Sequence, residues 1–124
     1  MVKSLNFLAV QSRLARLESV RALTLVKSPL SGAVLSTMLM TEPDPVVKAE
    51  IARRADTDID LVARRMLFVA VNDPSEVVRA SAYARLIDAK DAGIQAEALK
   101  GVKDDSPSIR IYLLDIMRQR AKEH

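Results

Sequence analysis

Acidic side chains crowd two short stretches of the chain, DTDID at 56–60 and Asp104-Asp105, and arginines crowd two others, Arg53-Arg54 and Arg64-Arg65. Aspartates at 56, 58 and 60 have the opening spacing of a calcium loop, because a hard cation collects oxygen ligands from alternate residues of such a turn. That motif also requires glycine at its sixth position and an acid at its twelfth, where this chain has Leu61 and Leu67. Helix capping is the expected role of these acids instead, with Asp58 as a cap. Asp104 and Asp105 have the chemistry for acid–base work, yet they stand at an expected helix start, where carboxylates favour the helix dipole.

Other catalytic chemistries lack their residues. The single histidine is His124, the last residue, so no imidazole is expected within the fold as a general base, triad member or zinc ligand. Cysteine is absent, which excludes disulfides, thiolate metal sites and cysteine nucleophiles. The glycines at 32, 93 and 101 are too scattered to cradle a phosphate. The expectation is a chain without catalysis, cofactor or metal.

The elements that position these residues repeat. A β-branched apolar residue followed by a cation occurs at Val47-Lys48, Val78-Arg79 and Ile109-Arg110, at intervals of 31 residues. Apolar trios at steps of four follow each doublet: Val47, Ile51 and Ala55; Val78, Ala82 and Leu86; Ile109, Leu113 and Met117. Such steps keep a trio on one helical stripe. Ser28-Pro29, Asp44-Pro45, Asp73-Pro74 and Ser106-Pro107 each set a capping side chain before a proline suited to the first helical position. Glu76, three residues after Asp73, suggests a capping box there. Partner helices are expected over 29–40, 59–71 and 92–102, the last two capped by Asp58 and Asp91. Leu5, Leu8, Gln11 and Ala15 suggest one N-terminal helix and 18–27 a second, whose Val20-Arg21 doublet has slipped four residues from the period.

The segments EPDPVVKAEIARRA at 42–55, NDPSEVVRASAYARLID at 72–88 and DDSPSIRIYLLDIM at 104–117 resemble the HEAT-repeat signature, Asp-Pro in the turn between paired helices and then Val-Arg opening the second. VVKAEIARRADTDIDLVAR at 46–64 is also similar to a leucine-rich-variant repeat. The resemblance implies an all-α, right-handed α-solenoid of about four antiparallel helix pairs, one domain over 1–124 whose first repeat, about 1–28, is a degenerate cap. It implies, too, that Asp44, Asp73 and Asp105 pair with Lys48, Arg79 and Arg110 in a ladder that fixes repeat register. Proteins of this kind mostly scaffold other proteins, and a minority bind nucleic acid. HEAT-like DNA glycosylases frame a damaged base with aromatic groups, and this chain departs from that pattern with no Trp, two Tyr and two Phe.

Composition agrees with a small helical domain. Hydrophobic residues make up 49% of the 124, but aromatics only 3%, so Ala, Val, Leu, Ile and Met must fill the core. The apolar stretches at 5–10 and 33–40 are too short for a signal-peptide core or a membrane span. The chain therefore reads as soluble and cytoplasmic.

Function is left to the surface. The net charge is +3, with Lys3, Arg13, Arg16, Arg21 and Lys27 concentrated near the start against Glu18 alone. Two uses of the surface compete. In the first, inner helices line a groove for another protein with Glu50, Arg54, Ser81, Arg85, Tyr112 and Asp115. In the second, the basic N-terminal segment and Arg53, Arg54, Arg64 and Arg65, brought together, contact nucleic-acid phosphates. The last helix is apolar on all sides, with Ile111, Tyr112 and Leu114 where a terminal helix should be polar, so a homodimer or a docked partner is expected to cover it.

Overall fold

Capping chemistry sets the element boundaries. In the computed structural model, which describes residues 2–26 and 28–123 and the side chains of 12–26, 28 and 30–123, seven α-helices follow one another. They are α1 (Val2–Leu25), α2 (Pro29–Thr41), α3 (Pro45–Arg54), α4 (Asp60–Asn72), α5 (Glu76–Ile87), α6 (Ala92–Leu99) and α7 (Pro107–Lys122), with a 3₁₀ turn, Lys100–Lys103, before the last. Among the described residues there is no strand, and no helix is long and apolar enough to cross a membrane. The side chains of Lys3, Leu5, Leu8, Gln11, Lys27 and His124, named above, lie outside the described residues.

Three of the four expected proline-led starts are as the sequence suggests. Ser28 accepts from the Ser31 N–H at 3.2 Å, and Ser31 Oγ accepts from the Ser28 N–H in return, closing a capping box. Asp44 accepts from Val46 N–H at 2.9 Å, and Ser106 from Ile109 N–H at 3.4 Å. The fourth start moves. The cap of α5 is Ser75, accepting from Val78 N–H, so Asp73 and Pro74 precede the helix and Glu76 is its first residue rather than a capping-box partner. Asp91 caps α6 as expected, but Asp58 does not cap α4, whose cap position is Ile59 without a side-chain bond. Asp56 accepts from the Asp58 N–H instead, tightening the turn before the helix.

The N-terminal region also differs from expectation. In place of two helices, α1 runs unbroken from Val2 to Leu25. The stretch between Ala15 and Val20 contains neither glycine nor proline to stop it, and Ser19 bonds back to the Ala15 carbonyl at 3.0 Å within the helix.

Helices two apart in sequence pack together: α1 on α3, α3 on α5 and α5 on α7 form one row, while α2 on α4 and α4 on α6 form another. The rows meet through contacts of α2 with α1 and α3, and of α5 with α4 and α6. The expected stripes face inward. Val47, Ile51, Ala55, Val78, Ala82, Leu86, Ile109 and Leu113 are buried, with Met117 half-buried beside them. They join Val20, Leu35, Leu39, Val62 and Met66 in one connected cluster from α1 to α7. Each fully buried Leu or Ile contributes about 1.5–3 kcal/mol.

Gly101 makes one close approach possible. A Cβ there would stand 2.6 Å from Leu113 Cδ1 and 2.9 Å from the Tyr83 ring, so only glycine lets the 3₁₀ turn lie against α5 and α7.

Candidate functional site

Three acids at successive 31-residue positions, Glu42, Asp73 and Asp104, each stand two residues before a helix cap. Each accepts from the cap residue's backbone N–H, at 3.1 Å from Asp44, 2.9 Å from Ser75 and 2.9 Å from Ser106. Each is also paired with a cation on the helix two before: Glu42 with Arg16, Asp73 with Lys48 and Asp104 with Arg79. Arg79 donates Nη1 to the Asp73 carbonyl at 2.8 Å as well, so one side chain clamps both turns. For Asp104, burial alone would raise the carboxyl, but the Ser106 N–H and the Arg79 guanidinium together hold it below the ordinary range.

Two acids of the expected ladder are therefore replaced, and Arg110 donates Nη1 to the Asp104 carbonyl at 2.6 Å rather than to a carboxylate. Asp105 occupies the position of Pro43 and Pro74, is exposed, and leaves the pairing to Asp104. Asp44 caps α3 and takes Arg13 at 2.6 Å rather than Lys48. Its carboxyl, too, is raised by burial and lowered further by the Arg13 and Val46 hydrogen bonds, to a net position below its usual value.

Arg54 and Arg85, also 31 residues apart, meet in one cleft. Its volume is about 710 Å³, and it opens between the C-terminal end of α1, the first half of α2 and the ends of α3 and α5. Leu23, Val26, Leu35 and Ile59 supply apolar wall, while Thr24, Ser28, Ser31 and Asp56 supply polar groups beside the two arginines. Arg85 donates Nε to the Ala55 carbonyl at 3.0 Å, satisfying the end of α3. Arg54 donates Nε to Glu50, which also accepts from Arg53 at 2.9 Å. These two arginine bonds, Arg54's first, keep the Glu50 carboxyl below its ordinary value.

The remaining candidate residues lie elsewhere. Arg53 donates to Ser81 Oγ at 3.2 Å, joining α3 to α5. Ser81 and Tyr112 line a separate, mostly apolar hollow of about 340 Å³ between α5 and α7, with Val77, Ala80 and Ile109. Asp115 and Leu114 are exposed on α7.

The four arginines expected to gather do not. Arg64 pairs with Asp60 at 2.8 Å on the open surface of α4, and Arg65 reaches across to Ser36 Oγ on α2 at 2.8 Å, where Ser36 is only 1% exposed. With Arg53 and Arg54 held at Glu50, each pair serves its own neighbourhood. Among the described residues no cluster of His, Cys, Asp or Glu could hold a metal ion.

No family model, no curated protein and no solved structure matches the chain.

Sequence reasoning missed the acids at 42 and 104 as rungs and Ser36 as a buried partner. Extending the 31-residue comparison five residues before each doublet would have aligned Glu42, Asp73 and Asp104. Nothing local in α2 distinguishes Ser36 from its exposed neighbour Thr37.

Proposed function

We propose that the chain is a non-enzymatic protein-interaction module, a short HEAT-like α-solenoid forming one domain, which holds a segment of another protein in the cleft carrying Arg54 and Arg85. The observation that carries this reading is the cleft itself: apolar walls to bury side chains, with two guanidinium groups on its rim for a carboxylate of the partner. The solenoid reading rests on the two helix rows and on the acid–cation rungs that link successive 31-residue units. A cytoplasmic setting fits a chain without cysteine.

Phosphate-backbone binding draws less support, because Arg64 and Arg65 are separately engaged and the arginines do not form a continuous stripe. Two measurements test the pair of readings. Substitution of Arg54 by Gln, which leaves Glu50 its Arg53 partner, should reduce capture of cellular protein partners with little change in melting temperature, and unchanged capture would remove the cleft. Salt-sensitive binding of a fluorescent duplex at low ionic strength would favour nucleic acid instead.

A further inference from the structure

Both arginines of the cleft are held in advance. Each spends Nε on a neighbour, Arg54 on Glu50 and Arg85 on the Ala55 carbonyl, and among the described residues no acceptor takes the Nη groups of either. Glu50, whose side chain is 14% exposed, also holds Arg53, and Arg53 reaches Ser81 on α5. Guanidinium groups fixed in this way give up little further side-chain freedom when a ligand oxygen meets their Nη edges.

The same cleft carries one charge of the opposite sign. Asp56 lines it two residues after Arg54, is exposed, and accepts from the Asp58 N–H at 3.0 Å. Among the described residues no cation pairs with it: Arg54 is turned to Glu50, Arg85 to Ala55, and Lys90 to Asp58. Three guanidiniums, Arg53, Arg54 and Arg85, thus stand with two carboxylates, Glu50 and Asp56, which leaves one positive charge. Asp88, which also feels Arg85, is already matched by Arg120.

Two guanidiniums alone would favour phosphate, which has more charge and more acceptor oxygens than a carboxylate. An unpaired carboxylate in the same cleft works against that preference, because its repulsion grows with the charge of the ligand. We infer that the cleft selects a singly charged Asp or Glu side chain, flanked by apolar residues of the partner, over a phosphorylated residue, and that Asp56 sets the choice; this deepens the reading of the cleft as the partner's seat and rests on it. The apolar flanks would lie on Leu23, Val26, Leu35 and Ile59.

The test titrates the full chain, isotopically labelled and at low ionic strength, with a blocked Leu-Ala-Glu-Ala-Leu peptide and with versions carrying glutamine or phosphoserine in place of the glutamate. The glutamate peptide should shift the NMR resonances of Leu23, Arg54, Ile59 and Arg85, the glutamine peptide should bind at least tenfold more weakly, and the phosphoserine peptide no more tightly than the glutamate one. Asp56→Asn keeps an acceptor for the Asp58 N–H, and it should strengthen phosphoserine binding at least threefold more than glutamate binding. Tighter binding of phosphoserine by the unaltered chain, equal gains for both peptides in the Asp56→Asn chain, or equal binding of the glutamate and glutamine peptides would overturn the inference and leave the cleft as a binding site. No shift at these residues with any peptide at millimolar concentration would remove the cleft, and the inference with it.

Discussion

Arg79 and Asp104 are joined by two hydrogen bonds, 3.2 Å from Nε and 3.3 Å from Nη2, that tie α5 to the turn before α7. Both side chains are largely buried, at 15% and 7% exposure. Asp104→Asn should cost about 1–3 kcal/mol in urea denaturation at neutral pH, since a charge-assisted pair is weakened where water reaches it poorly. Asp105→Asn should leave the midpoint unchanged. Equal effects at 104 and 105 would return the rung to Asp105.

Acid should unfold the protein through the same groups. The carboxyls of Asp44, Glu50, Asp104 and Asp88, the last held by the Arg120 guanidinium of α7 at 3.0 Å, all lie below their ordinary values. A carboxyl lowered by folding stabilises above its unfolded pKa, about 3.9 for Asp and 4.3 for Glu, and that contribution is lost as pH falls through the folded value. The melting temperature should therefore be flat between neutrality and about pH 5 and decline below about pH 4, less steeply in the Asp104→Asn variant. A decline that begins near pH 6 would contradict this assignment.

The caps separate two serines from an aspartate. Ser75→Ala and Ser106→Ala should each destabilise by about 1 kcal/mol, because each hydroxyl satisfies an otherwise unpaired N–H in a first turn. Asp58→Ala should not reproduce that loss, as Ile59 holds the cap position of α4. Chemical denaturation of the three variants in parallel reads the difference.

Packing at the 3₁₀ turn makes a sharper demand. Gly101→Ala should cost about 1–3 kcal/mol, the usual penalty for overfilling a packed site, because its methyl would collide with Leu113 and the Tyr83 ring. Gly93→Ala meets only Asp91 Oδ1, at 3.1 Å, and should be milder. A thermal melt in which both are neutral would show that the turn can move away from α5.

Arg65 and Arg64, neighbours in sequence, should behave differently. Arg65→Ala strands the buried Ser36 hydroxyl and should cost about 1–3 kcal/mol. Arg64→Ala breaks only an ion pair whose two side chains are both about 70% exposed, and the melting temperature should not change.

What the sequence disclosed follows the range of the forces involved. Helix periodicity is local, so the stripes through Ile51, Ala82 and Leu113 could be assigned from spacing, and most of the caps with them. At α5, Asp73 and Ser75 are both good capping types; Asp73 accepts from the Ser75 N–H and pairs with Lys48, and Ser75 caps the first turn. That Arg54 and Arg85 line one cleft agrees with their 31-residue spacing. The dispersal of Arg53, Arg54, Arg64 and Arg65 was legible in part, since Glu50 stands three and four residues before Arg53 and Arg54 and Asp60 four before Arg64, whereas Ser36 meets Arg65 only through packing.

The pattern of helix contacts also bears on how quickly the chain finds its structure. Each helix packs chiefly on those one or two along, so no principal contact requires distant parts of the polypeptide to meet first. Low contact order of this kind goes with folding in microseconds to milliseconds.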